Sequence, residues 1–245
     1  MASRWRQQPV YSPTSPELFE IGDGDPESGV TFYPPSDDTY LFLDVLHDEI
    51  ERASAMDTLS GSGACILEVG PGSGVLSTYL VRALQSVGIS AVSVALDVNI
   101  RACEATMKTA RAVGVGPKID VMVGDFIQSP RWLRYRPDII ICNPPYVPSP
   151  PEECNSTGIE ASWAGGHRGR EVIDKMIPVF AELLQPRDES TVPVLYFLLE
   201  KQNCPSEVCQ MFQDLDCSGE CVGKRQVRGE LLYVYKFKKR LQSGV

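Results

Sequence analysis

The sequence predicts an α/β domain built on a mostly parallel sheet with helices on both faces, and three observations carry that prediction. Short apolar runs of strand length alternate with amphipathic stretches of helical period from Ala64 to Phe237. A glycine-rich turn, Glu68-Val69-Gly70-Pro71-Gly72-Ser73-Gly74, joins the first of those strands to the first of those helices. A chain of 245 residues, 43% hydrophobic and 22% charged, has the size and composition of one globular α/β domain.

Residues 1–32 mix prolines (Pro9, Pro13, Pro16, Pro26) with glycines, serines and acids without a sustained period, and are expected to be a mobile arm. The domain is expected over 33–240, with 241–245 as a tail. From Asp37, the residues Leu41, Phe42, Val45, Leu46 and Ile50 recur at helical spacing behind an acidic first turn, which suits the positive end of a helix. Ala64–Val69 reads as a buried strand, and Leu76, Tyr79, Leu80, Ala83, Leu84 and Val87 as one face of the next helix. Ala91–Leu96 is a second strand, followed by a helix carrying Ile100, Cys103, Met107, Ala110 and Val113. Ile119–Val123 and Asp138–Cys142 are further strands. Pro144–Pro151 is too rich in proline for a helix or an inner strand and is expected as a stiff loop leaving a strand end. Val172, Met176, Phe180, Leu183 and Leu184 mark a helix that Pro178 would bend. A strand over Val192–Leu199, a short helix about Glu207–Phe212 and an alternating strand over Leu231–Phe237 complete the pattern.

The charge balance, 23 Lys+Arg against 32 Asp+Glu for a net −9, argues against a chain that gathers nucleic acid or anionic membrane by its own field. No stretch approaches the roughly 18 uninterrupted apolar residues of a membrane span, and no secretory signal is recognisable at the N-terminus, so a cytoplasmic or nuclear compartment is expected. Of the 8 cysteines, several sit in apolar runs as small hydrophobes. The spacing of Cys204, Cys209, Cys217 and Cys221 is not that of a zinc site, so no metal is expected.

The glycine turn lies where open α/β sheets bind ligands, and its glycines let the backbone pass close to one. It differs from a dinucleotide fingerprint, because Val75 stands where the third glycine belongs, and from a phosphate-binding loop, because no Gly-Lys-Ser/Thr follows. Glu68 at the strand end repels phosphate and attracts a cation. S-adenosylmethionine, with its sulfonium and ammonium groups, has the matching sign. Asp97 ends the second strand, where an acid accepts hydrogen bonds from ribose hydroxyls, and Asp125-Phe126 after the third strand suits an adenine amino group and ring.

Asn143-Pro144-Pro145-Tyr146 ends the strand that should lie beside the glycine turn. A planar amide or aromatic amino nitrogen is a poor nucleophile because its lone pair is delocalised. An Asn143 oxygen and a Pro144 carbonyl that each accept one N–H would hold such a nitrogen with its lone pair aimed at a methyl donor, with Tyr146 packed on the flat acceptor group. The methylated nitrogen is transiently acidic, so a chain with only 2 histidines, His47 and His167, is suited to the chemistry.

The motifs LEVGPGSG and NPPYV, with the run Gly158–Asp174 that contains GGHRGRE, resemble the HemK-related glutamine methyltransferases, and in particular the eukaryotic subgroup that modifies the translation termination factor. The resemblance spans about Tyr33 to Phe237. It implies a Rossmann-like class I methyltransferase fold, a seven-stranded sheet whose last strand is antiparallel. It also implies S-adenosylmethionine-dependent methylation of the glutamine amide in a Gly-Gly-Gln tripeptide of the class I release factor. By the family pattern, Thr39, Glu68, Gly70, Gly72, Gly74, Asp97, Asp125, Phe126 and Asn143 hold the cofactor, and Asn143, Pro144, Pro145 and Tyr146 grip the glutamine. The subgroup works with a small zinc-binding activator subunit, expected here to pair with an exposed edge strand at 119–123. This chain departs from the pattern in its N-terminal arm and in an insertion about Gln185–Pro193. Two other substrates share the same chemistry or cofactor: nucleic-acid adenine at N6, which the acidic balance disfavours, and protein lysine. A non-catalytic binder of adenosylmethionine is the remaining alternative, and the intact acceptor motif argues against it. Arg168 and Arg170 are read either as structural or as steering an acidic target.

Overall fold

The computed structural model describes residues 31–55, 63–128, 135–186 and 192–240; the arm over 1–30, the tail over 241–245 and the centre of the 185–193 insertion lie outside them. The elements run α1 (Asp37–Ala55), β1 (Ala64–Val69), α2 (Val75–Ser86), β2 (Ala91–Asp97), α3 (Ile100–Ala112), β3 (Ile119–Val123), β4 (Ile139–Cys142), α4 (Glu171–Leu183), β5 (Val194–Glu200), α5 (Pro205–Asp214), β6 (Cys217–Gln226) and β7 (Leu231–Lys239). The seven strands form one sheet in the order β3-β2-β1-β4-β5-β7-β6. β1 to β5 pair in parallel, while β7 is antiparallel to both its neighbours.

The order dictates the layers. Successive crossovers move from β1 out to β3, then jump back to β4 and move the other way. Because parallel crossovers are right-handed, reversing the direction puts the later helices on the opposite face. Accordingly α1 packs with α2 and α2 with α3, while α4 packs with α5. The α4–α5 side is knit by a run of rings, Phe126–Phe180–Phe197–Phe212–Phe237, with centroids 4.7, 5.6, 6.4 and 3.9 Å apart. Pro178 sits inside α4 without ending it.

β6 is the strand that periodicity alone overlooks. Its sequence, CSGECVGKRQ, is polar, holds two glycines, and carries a register shift between Cys221 and Gly223. Among the described residues it is an edge strand paired only with β7, so apolar alternation is not demanded of it. Gly223 is there for α1: a Cβ would come within 2.3 Å of Val45 Cγ2. A buried ion pair of Arg225 with Asp44 fastens the same strand to the same helix.

Candidate active site

The crossover direction reverses between β1 and β4, and their carboxyl ends stand side by side, since Val69 pairs with Cys142. Gly70 therefore faces the backbone of Asn143, with 3.8 Å from an added Cβ to the Asn143 carbonyl oxygen. A cavity of about 350 Å3 opens at this switch point. That is a ligand-sized volume, within the roughly 300–1,000 Å3 of small-molecule sites.

Thr39, Glu68, Gly70, Gly72, Asp97, Asp125, Phe126, Asn143 and Pro145 line it, whereas Gly74, Pro144 and Tyr146 do not. The turn holds Gly70, Gly72 and Gly74 at φ of 71°, 55° and 75°, where a side chain is strained. Gly74 also answers the missing third glycine: a Cβ there would lie 2.7 Å from Thr106 Cα. It brings α2 against α3, and Thr109 Oγ1 then donates to the Ser73 carbonyl at 2.6 Å.

The three acids differ in what they already hold. Glu68 is buried and accepts from the Ser77 amide at 2.9 Å. Burial pushes its carboxyl up to about 7, with the nearby Asp97 charge adding to the effect and the Ser77 hydrogen bonds opposing it. Asp97 accepts from the amides of Asn99 at 2.8 Å and Gly72 at 3.4 Å, and burial raises it too. Asp125 turns the chain after β3 by accepting from the Ile127 amide at 2.7 Å and the Gln128 amide at 3.1 Å. Phe126 is buried, with its ring against Phe180, so it meets the cavity as a core residue rather than a free stacking platform.

Asn143 is anchored at one end of its amide: Nδ2 donates to Asp38 Oδ2 at 2.9 Å. The other end, Oδ1, is buried with no hydrogen-bond partner among the described residues. An unmade hydrogen bond of that kind costs about 1–3 kcal/mol, a cost that a donor reaching this oxygen would relieve. Tyr146 is turned away from the cavity, its hydroxyl 3.4 Å from Asp38 Oδ2 and 3.5 Å from Glu230 Oε2, and burial beside these acids raises its ionisation strongly. In this conformation it braces the loop; packing on an acceptor group, as its place in the motif suggests, would require it to turn.

The loop is braced from below by the glycine-rich run. Val147 and Ala164 form an isolated bridge, with Val147 N to Trp163 O and Gly165 N to Val147 O both at 2.9 Å. Asn203 Nδ2 donates to the Tyr146 carbonyl at 2.9 Å. Arg170 is buried among Asp174, the Asn203 carbonyl, Glu207 and Met211, which makes it structural. Arg168 is exposed and pairs with Glu207 at 2.9 Å. His167 is exposed outside the cavity, and His47 bonds Tyr79 and Glu51 on the α1 surface. Among the described residues no cluster of three or more His, Cys, Asp or Glu could hold a metal ion, and no helix is long and apolar enough to cross a membrane.

Two contributions were invisible in the sequence. Phe32 and Tyr33, at the start of the domain, lie across the glycine turn and line the cavity; an added Gly72 Cβ would be 3.3 Å from the Tyr33 carbonyl, and Asn99 Nδ2 donates to the Thr31 carbonyl at 2.7 Å. Asp38 collects donors from distant parts of the chain, although its place in the first turn of α1 suggests only a helix-end charge.

Residues 45–155 match the family described as methyltransferase small domain. The strand order is that of class I S-adenosylmethionine-dependent methyltransferases, and the acid-lined cavity at the switch point suits that donor in size and sign. The mouse protein named methyltransferase HEMK2 is 40% identical over 209 residues, covering 84% of this chain and 89% of the relative, and the chain belongs to the HEMK2 methyltransferase family. The fission yeast eRF1 methyltransferase catalytic subunit mtq2 is 28% identical over 74% of this chain and 78% of its own. Among solved structures, the E. cuniculi Mtq2–Trm112 complex, responsible for methylation of the eRF1 termination factor, aligns with a TM-score of 0.59 at 24% identity, over 85% of this chain and 99% of the other.

Proposed function

We propose that this chain is the catalytic subunit of a heterodimer that methylates the side-chain nitrogen of the glutamine in the Gly-Gly-Gln motif of the eukaryotic class I release factor. The observation that carries the reading is the unpartnered, buried Asn143 oxygen beside the glycine turn, an acceptor suited to a planar N–H. The names of the relatives agree with it: one is a catalytic subunit acting on eRF1, and a solved neighbour is assembled with Trm112.

When bound, S-adenosylmethionine supplies an electrophilic methyl group on a cationic sulfur. Glu68, Asp97, Asp125 and Thr39 offer it acceptors, Gly70 and Gly72 give it backbone room, and Phe126 closes the cavity wall. Asn143 Oδ1 and the rigid Pro144–Pro145 backbone orient the acceptor nitrogen; as the N–C bond forms and the S–C bond breaks, the nitrogen becomes acidic and its proton passes to water, since neither histidine lines the cavity.

Glu68 makes donor binding pH-dependent. Its carboxyl titrates near 7 in the fold against an ordinary 4.5, so the folded state holds the proton more tightly. Its contribution to stability therefore falls as pH rises from the ordinary value to the raised one, while the ionised form that attracts a cation gains population. Donor affinity measured by calorimetry should tighten between about pH 6 and 8, by up to about tenfold per unit, and Glu68→Gln should flatten the profile. A flat wild-type profile would remove Glu68 from this role.

The partner reading is a small zinc-binding activator that adds a strand at β3. β3 is the free edge of the sheet, and Met122 and Val123 are exposed on it, 43% and 57%. The deciding experiment offers labelled donor to the chain, with and without the activator, together with release factor, factor altered at the motif glutamine, or adenine-containing DNA. Label on intact factor alone, strongest with the activator, is expected; label on DNA or on the altered factor would overturn the substrate. Met122→Lys with Val123→Glu should lose the activator in co-purification while folding normally, and retained binding would move the interface elsewhere.

A further inference from the structure

Asp38 is almost wholly buried, 2% exposed, and gathers donors from its own segment and from the acceptor loop more than 100 positions away. Its Oδ2 accepts from Asn143 Nδ2 at 2.9 Å, Tyr33 OH at 3.3 Å and Tyr146 OH at 3.4 Å. Its Oδ1 accepts from the Thr39 amide at 2.6 Å and from Thr39 Oγ1 at 3.3 Å. A carboxylate only accepts, whereas a side-chain amide has one donating and one accepting end. With Asp38 at 2.9 Å, the amide of Asn143 has one favourable orientation: the NH2 end toward the acid, the oxygen away from it. Flipping the amide would set two oxygens against each other at hydrogen-bond distance. The oxygen left over is the one that is buried without a partner.

We propose that Asp38 is the positioning residue of the acceptor grip: it locks the Asn143 amide so that Oδ1 is always the end offered to the acceptor nitrogen, and through Tyr33 and Tyr146 it ties that lock to the segment crossing the glycine turn and to the acceptor loop. The proposal rests on the reading of Asn143 as the acceptor's partner. It assigns Asp38 no contact with donor or substrate; it acts by removing a second orientation of the amide, the kind of pre-organisation on which rate depends steeply.

The test compares Asp38→Asn, Asn143→Asp and the two together, each as the complex with its activator, by turnover and by donor Kd. Asp38→Asn is isosteric but can either donate to or accept from Asn143, so kcat should fall by about a hundredfold while donor Kd stays within about threefold. Asn143→Asp sets two carboxylates face to face and should be inactive. The double exchange restores one donor and one acceptor with polarity reversed and leaves a carboxylate oxygen for the substrate N–H. It should be at least about tenfold more active than Asn143→Asp alone, a rescue that a merely structural role does not yield. Wild-type kcat in Asp38→Asn, a donor Kd that worsens in step with kcat, or no rescue by the double exchange would each overturn the proposal. If Asp38→Asn fails to fold, the double exchange against Asn143→Asp decides. Failure of the underlying reading is separate, since it would show as activity retained in Asn143→Ala.

Discussion

Asn143→Ala is expected to take methyl transfer down by at least about 10³-fold while leaving donor binding weakened but measurable. The amide is the one side chain of the acceptor motif that lines the cavity with an unpartnered acceptor, and alanine removes both that oxygen and the anchor to Asp38. A planar nitrogen then loses the contact that would hold its lone pair toward the methyl group. Cavity wall is still supplied by Glu68, Asp97, Asp125 and the glycine turn, whose acids keep their hydrogen bonds to the amides of Ser77, Asn99 and Ile127 without Asn143. The measurement is single-turnover transfer alongside calorimetric donor binding. Full activity in this variant would remove the mechanism proposed for the acceptor loop.

Gly169→Ala should be the most damaging small substitution away from the cavity. Gly169 has φ of 67°, and a Cβ there would lie 1.8 Å from the Tyr146 carbonyl oxygen and 2.6 Å from Asn203 Nδ2. A left-handed alanine costs about 1–3 kcal/mol and overpacking a similar amount. A total of about 2–6 kcal/mol corresponds to a fall in Tm of roughly 4–24 °C for a chain of this size. The clash falls on the carbonyl of Tyr146, which Asn203 also holds, so the acceptor loop should be displaced and turnover should fall with stability. Thermal unfolding within about 2 °C of wild type, with normal turnover, would show that the glycine-rich run does not brace the loop.

Much of this was legible in the sequence because it is local. Strands β1 to β5 and β7 and the five helices announce themselves by period, and β1–glycine turn–α2 is a continuous stretch whose backbone needs are met by its own glycines. The acceptor motif carries its chemistry in four consecutive residues. β6 was not legible, since an edge strand with two glycines and a bulge has little hydrophobic alternation to read. Arg170 could not be sorted from Arg168 by sequence, although one is buried in a network and the other is exposed beside it.

The sequence by itself determined the fold class and the cofactor's charge and pointed to a planar nitrogen as acceptor, because each rests on residues adjacent in the chain or on periods of a few residues. Only the tertiary structure decided what orients them. Asp38 reaches Asn143 across 105 positions, Arg225 reaches Asp44 across 181, and Gly169 underlies Tyr146 through a contact that exists only once β4 and α4 are in place. Such pairings depend on where a sheet puts its strand ends, and no local pattern records that.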